Sequence, residues 1–101
     1  SNPRTWRDRL GRLGAILPAN VRLTSVGVNP GNANATADQN RLVIQGVVRT
    51  TPGQDKTQDV LKVVGLLHSD SLFARGYQTI KLSSTKVSES DNVAEFTIEC
   101  R

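Results

Sequence analysis

The sequence predicts an α+β domain: a two-layer sandwich of one four-stranded antiparallel sheet with two helices on one face. Three observations predict it. Two segments carry apolar residues at helical spacing, and four others read as strands, by alternation or by short apolar runs. Their order is helix–strand–strand–helix–strand–strand, so two similar halves each place a helix ahead of a hairpin. The last strand alternates most cleanly, as expected where an antiparallel sheet buries one face and wets the other. At 101 residues the chain has the length of a single domain, residues 1–101. A chain of that size buries roughly two-thirds of its extended surface on folding.

Residues 5–17, "TWRDRLGRLGAIL", read as the first helix, with Trp6, Leu10, Leu13 and Leu17 on one stripe. Thr5 is placed to cap it, with Asp8 as the capping-box acid, and Pro18 stops it. Gly11 and Gly14 each lower its propensity by up to about 1 kcal/mol, so it needs a packing partner. Residues 20–28, "NVRLTSVGV", read as a strand. Val21 and Leu23 share one parity and Val26 and Val28 the other, so a bulge near Thr24-Ser25 would restore a single buried face. Residues 29–40 are small, polar and turn-forming, and read as a long hairpin loop. Asn34-Ala35-Thr36 fits the glycosylation sequon, a weak signal in an asparagine-rich loop.

Residues 41–49 read as the second strand, with Leu42, Ile44 and Val48 on one parity and Gly46 between them. Gly46 leaves room for another element to come close. After the turn "TPGQD", residues 55–68 form the second helix. Its stripe is Val60, Val64 and Leu67, widened by Leu61 and Val63. Residues 77–84 give a third strand through Ile80 and Leu82. Residues 92–100 give a fourth, in which Ala94, Phe96, Ile98 and Cys100 alternate with Glu95, Thr97 and Glu99. Helices on the apolar face of such a sheet make a ferredoxin-like arrangement with the usual order shifted by one element.

Composition narrows the function classes. The single cysteine, Cys100, leaves no internal disulfide and no multi-cysteine metal site, and it reads as a small core residue. No run approaches the roughly 18–20 apolar residues of a membrane span, and no signal peptide is visible. The opening Ser1-Asn2, without methionine, reads as a tag scar or a cut from a longer protein. Net charge is +4, and most of it sits in residues 1–12, where Arg4, Arg7, Arg9 and Arg12 face only Asp8. Two readings of that cluster stay open. One is a solvated helix face on which Arg4, Asp8 and Arg12 pair weakly. The other is a membrane-proximal basic segment, each arginine contributing about 1 kcal/mol near anionic headgroups.

The stretch His68-Ser69-Asp70-Ser71 has the residue types of a hydrolase. Catalysis needs nucleophile, base and orienting acid to converge from the scaffold. Four sequence neighbours at a helix end diverge instead. His68, the only histidine, suits the last turn of a helix. Ser69, Asp70 and Ser71 make the turn, and Leu72 and Phe73 tuck back under the helix. A metal site from His68, Asp70 and Cys100 has no supporting spacing, and no glycine-rich phosphate cradle fits. RNA binding would need aromatic side chains on a sheet face. Of Trp6, Phe73, Tyr77 and Phe96, only Tyr77 is free to present a ring. No catalytic residue, cofactor or metal is assigned.

Taken together, "ILPANVRLTSVGV" at 16–28, "LVIQGVV" at 42–48 and "LLHSDSLFARGYQTIKLSS" at 66–84 resemble the periplasmic domain of PilN-type pilus assembly proteins. The resemblance is carried by Leu17-Pro18 at a helix end and by Val21-x-Leu23-Thr24-Ser25 in the next strand. Ile44-x-Gly46 and the run from Leu66 or Leu67 through Ser69 to Phe73 at a helix-to-strand corner complete it. It implies a ferredoxin-like periplasmic module of an inner-membrane protein, whose membrane helix would precede residue 1. It implies a non-catalytic scaffold of a type IV pilus or type II secretion complex. Such a module pairs with itself or with a PilO-like domain, as homo- or heterodimer, and takes no nucleic acid and no small-molecule substrate. Leu67, Ser69 and Phe73 are then a structural corner, with Phe73 its anchor. The alternative function is a small basic nucleic-acid-binding module, to which Arg4, Arg7, Arg9 and Arg12 would contribute.

Overall fold

The computed structural model describes residues 3–28, 41–88 and 90–101, and at 3–7, 9 and 28 the backbone only. The loop expected over 29–40, the sequon at Asn34 and Ser1-Asn2 lie outside the described residues. The chain runs α1 (Pro3–Ile16), β1 (Val21–Val28), β2 (Leu42–Arg49), α2 (Lys56–Ser69), α3 (Ser71–Ala74), β3 (Ile80–Val87) and β4 (Val93–Cys100). It is α+β, with one four-stranded antiparallel sheet in the order β1-β2-β4-β3.

One core holds the helices to the sheet. Leu13 of α1, Val60, Val63 and Leu67 of α2, and Phe73 of α3 join Leu42, Ile44 and Val48 of β2 in it. Ile80 of β3 and all four apolar residues of the β4 alternation complete it. Cys100 is fully buried there. The irregularity expected in β1 is present: pairing with β2 shifts between Leu23 and Ser25, which returns Val26 to the side of Leu23 and Val21. A second bulge, between Leu82 and Ser84 of β3, faces the same middle row of the sheet.

Local chemistry sets the ends. Thr51-Pro52-Gly53-Gln54 makes a turn closed by Gln54 N–H to Thr51 O at 3.0 Å. Gly53 takes φ +88° there, the conformation a type II turn needs after proline. Asp55 caps α2, its Oδ1 accepting from Thr57 N–H at 3.0 Å and Gln58 N–H at 3.3 Å. Asn92 has φ 53°, and its carbonyl receives both the N–H and the hydroxyl of buried Thr50, at 2.7 and 2.9 Å.

Several expectations are corrected. α1 begins at Pro3, so Thr5 lies inside its first turn and is not its cap; proline suits a first helical position. The α1 stripe is only partly covered among its described side chains; that of Trp6 lies outside them. Leu13 is buried and Ile16 and Leu17 pack against the core, but Leu10 is 46% exposed. In α2 the buried trio is Val60, Val63 and Leu67; Val64 lies at its edge and Leu61 faces outward. β3 starts at Ile80, not at Tyr77, because the short α3 and the turn after it use the intervening chain. Tyr77 N–H bonds back to Ala74 O at 3.0 Å, and strand pairing begins only with Thr79 and Arg101.

Candidate functional site

The quartet that looks catalytic is split by the fold. His68 lies in the last turn of α2, and its Nε2 stands 2.7 Å from the carbonyl oxygen of Ile80. A carbonyl only accepts, so Nε2–H donates, and the ring ties the end of α2 to the start of β3. Its partner is thus the next strand, not the carbonyls of its own helix. Ser69 is the last residue of α2 and Ser71 the first of α3, and both are exposed.

Asp70 is the joint between them. Its N–H closes α2 on Leu66 O at 3.2 Å, and its carbonyl receives Ala74 N–H at 2.8 Å. Its Oδ2 accepts from Phe73 N–H at 2.8 Å, which caps α3. The same carboxylate takes the guanidinium of Arg12 from α1. Nε reaches Oδ1 and Oδ2 at 3.1 and 3.0 Å, and a second guanidinium nitrogen bonds Oδ1. Hydrogen bonding from Arg12, helped by Phe73 N–H and opposed by burial, holds the Asp70 carboxyl below its ordinary range and raises the Arg12 guanidinium.

Of the predicted corner residues, Leu67 and Phe73 are buried and Ser69 is not. Leu72, expected to tuck under the helix, is 53% exposed. Capping of α3 by Asp70 turns Phe73 inward and leaves its neighbour outside. Tyr77 does not stand free on a sheet face: its ring lies 5.4 Å from that of Phe73, tilted 40°. Of the four arginines, Arg12 is committed to Asp70; the side chains of Arg4, Arg7 and Arg9 lie outside the described residues.

The sheet face opposite the core carries ordered charge. In the strand register Lys81 stands opposite Glu99 and Lys86 opposite Glu95, and β2 places Val43 and Val47 on their other side. Arg41 and Arg101 both bond Glu99, at 3.0 and 3.3 Å. Burial works to raise the Glu99 carboxyl, but these two arginines outweigh it and the group is lowered. No aromatic ring occupies the described part of this face, because Phe96 turns inward over Gly46. No match was found among family models, curated proteins or solved structures.

Elsewhere an apolar groove runs between α2 and the start of β1, lined by Pro18, Val21, Val48, Val63 and Leu66. Among the described residues no group of three or more His, Cys, Asp or Glu side chains is placed to hold a metal. No helix among them is long and apolar enough to cross a membrane. The Arg12–Asp70 pair escaped sequence reasoning because its partners stand 58 residues apart. The cap of α3 was legible in principle, as an Asp three residues ahead of Phe73.

Proposed function

We propose that this chain is a non-catalytic assembly module. It pairs with another protein domain within the inner-membrane platform of a type IV pilus or type II secretion machine. The observation that carries the reading is the strand order β1-β2-β4-β3 behind a leading helix. Moving the first strand of a β-α-β-β-α-β unit to its end gives that order, so the sheet supports a ferredoxin-like arrangement shifted by one element. This is the fold implied by the resemblance of residues 16–28, 42–48 and 66–84 to PilN-type periplasmic domains. On this reading the module is periplasmic and is held to the inner membrane by a helix upstream of residue 1.

The polar chemistry supports the same reading. His68 and Asp70 are each engaged in joining secondary structure. β1 and β3 end the sheet and offer edges to which a partner strand can add. Glu95 and Glu99 among the lysines of the open face weigh against a base-stacking platform, and so against the nucleic-acid alternative.

Titration of the isotope-labelled chain with an unlabelled PilO-like domain tests the proposal by NMR. The expected result is a contiguous set of shifted amides along one sheet edge or one helix face. Spectra unchanged at millimolar partner would refute pairing with that class. A shift confined to added RNA, and lost at raised salt, would favour the alternative.

A further inference from the structure

α1 and α2 hold equivalent places in the two halves, and among the described side chains they are held unequally. α2 buries Val60, Val63 and Leu67 completely and is tied to β3 through His68. In the part of α1 whose side chains are described, Asp8 and residues 10–16, Leu13 is the fully buried one. Ile16 packs against the core from its edge, as Leu17 does just beyond. A Cβ added at Gly11 or Gly14 would meet nothing within 4 Å. A helix of 14 residues is marginal alone in water, where about 12–15 residues are needed even for alanine-rich chains, and two glycines weaken it further. α1 is therefore helical because it is docked.

Beside the apolar contact stands the fork of Arg12 on Asp70. Asp70 is a fixed post, because its N–H, its carbonyl and its carboxylate each join α2 or α3. A planar guanidinium meeting both carboxylate oxygens fixes direction as well as distance. We propose that α1 is a strap latched to the body by Arg12 and Asp70, and that it opens as a unit while α2, α3 and the sheet stay folded. Opening uncovers the part of the core on which Leu13, Ile16 and Leu17 rest. This inference does not depend on the pairing proposed above.

Native-state hydrogen exchange on the 101-residue chain tests it. The amides of residues 14–17 are expected to exchange at least about tenfold faster than those of Ile44 and Ile98, the signature of sub-global opening. Arg12→Gln should speed residues 14–17 by a further two- to fivefold, roughly the range for a solvent-accessible ion pair. It should leave Ile44, Ile98 and Val63 through Leu67 unchanged. Asp70→Asn should do the same, since asparagine still caps α3. Equal protection of residues 14–17 and the central strands in the parent overturns the proposal. So does an effect of either variant spread evenly over the chain.

Discussion

The two halves of the chain build their first strands alike and their helix-to-strand corners differently. β1 and β3 are eight residues each. They begin Val21-Arg22-Leu23-Thr24-Ser25 and Ile80-Lys81-Leu82-Ser83-Ser84, with the bulge at the fourth position in both. Before β1, the chain leaves α1 through Leu17-Pro18 and turns directly into the strand, with Val21 N–H on Pro18 O at 3.1 Å. Before β3, an extra helical turn carries Phe73 into the core and lays Tyr77 against it. The residues that look catalytic, His68 to Ser71, sit where the second half has this added corner. Two of them are the polar fastenings of an apolar plug: His68 closes on β3, and Asp70 caps α3 and anchors α1. A cluster of chemistry-bearing residues at a helix end is therefore first to be read against the backbone groups that end exposes.

The comparison breaks most readily at Phe73. Phe73→Ala should cost about 3–5 kcal/mol in urea unfolding, while Leu10→Ala, on the exposed side of α1, should change stability by no more than about 0.5 kcal/mol. Similar losses at the two positions would erase the asymmetry between the corners. A smaller effect is expected where the halves meet. A methyl at Gly46 would stand 2.6 Å from Phe96 Cζ and 2.7 Å from the Arg22 carbonyl oxygen. Gly46→Ala should thus destabilise by about 1–3 kcal/mol, whereas Gly11→Ala, in open space, should stabilise by up to about 1 kcal/mol. Thermal melts of the two variants compare them directly.

The smallest effect is expected from acid. The folded Asp70 carboxyl lies below its unfolded value. Its contribution is therefore complete above the unfolded pKa and fades as pH falls through the folded one. Exchange protection of α1 should fall on acidification below the ordinary carboxylate range, before that of α2. Arg12→Gln should abolish the difference.

Much of this was legible from local pattern. Alternation over 92–100 gave the buried face of β4, and the parity slip at Thr24-Ser25 gave the bulge, because a one-residue slip moves side chains across the sheet. The outward turn of Leu10 and Leu61 was not legible. Helical spacing names a stripe, but the width that is covered depends on what lies opposite. The four residues of α3 are too few to show a period, and nothing in the sequence marks the chain that α3 consumes before β3. The bulge at Ser83 leaves one parity slip, between Leu82 and Val87, but serine, threonine and lysine separate the two and Val87 lies beyond the strand end expected at residue 84. At the corner, burial of Leu67 followed from the helical stripe, whereas Leu72 and Phe73 were expected to tuck in together and only Phe73 does. The post that Asp70 provides for Arg12 was not legible, being a contact between distant segments.

Sedimentation equilibrium of this chain, alone and mixed with a PilO-like domain, tests the proposed docking of the domain to another of its kind. The expected result is a dimer mass whose population rises with concentration and survives raised salt. Monomer mass at every concentration, alone and in the mixture, would contradict it.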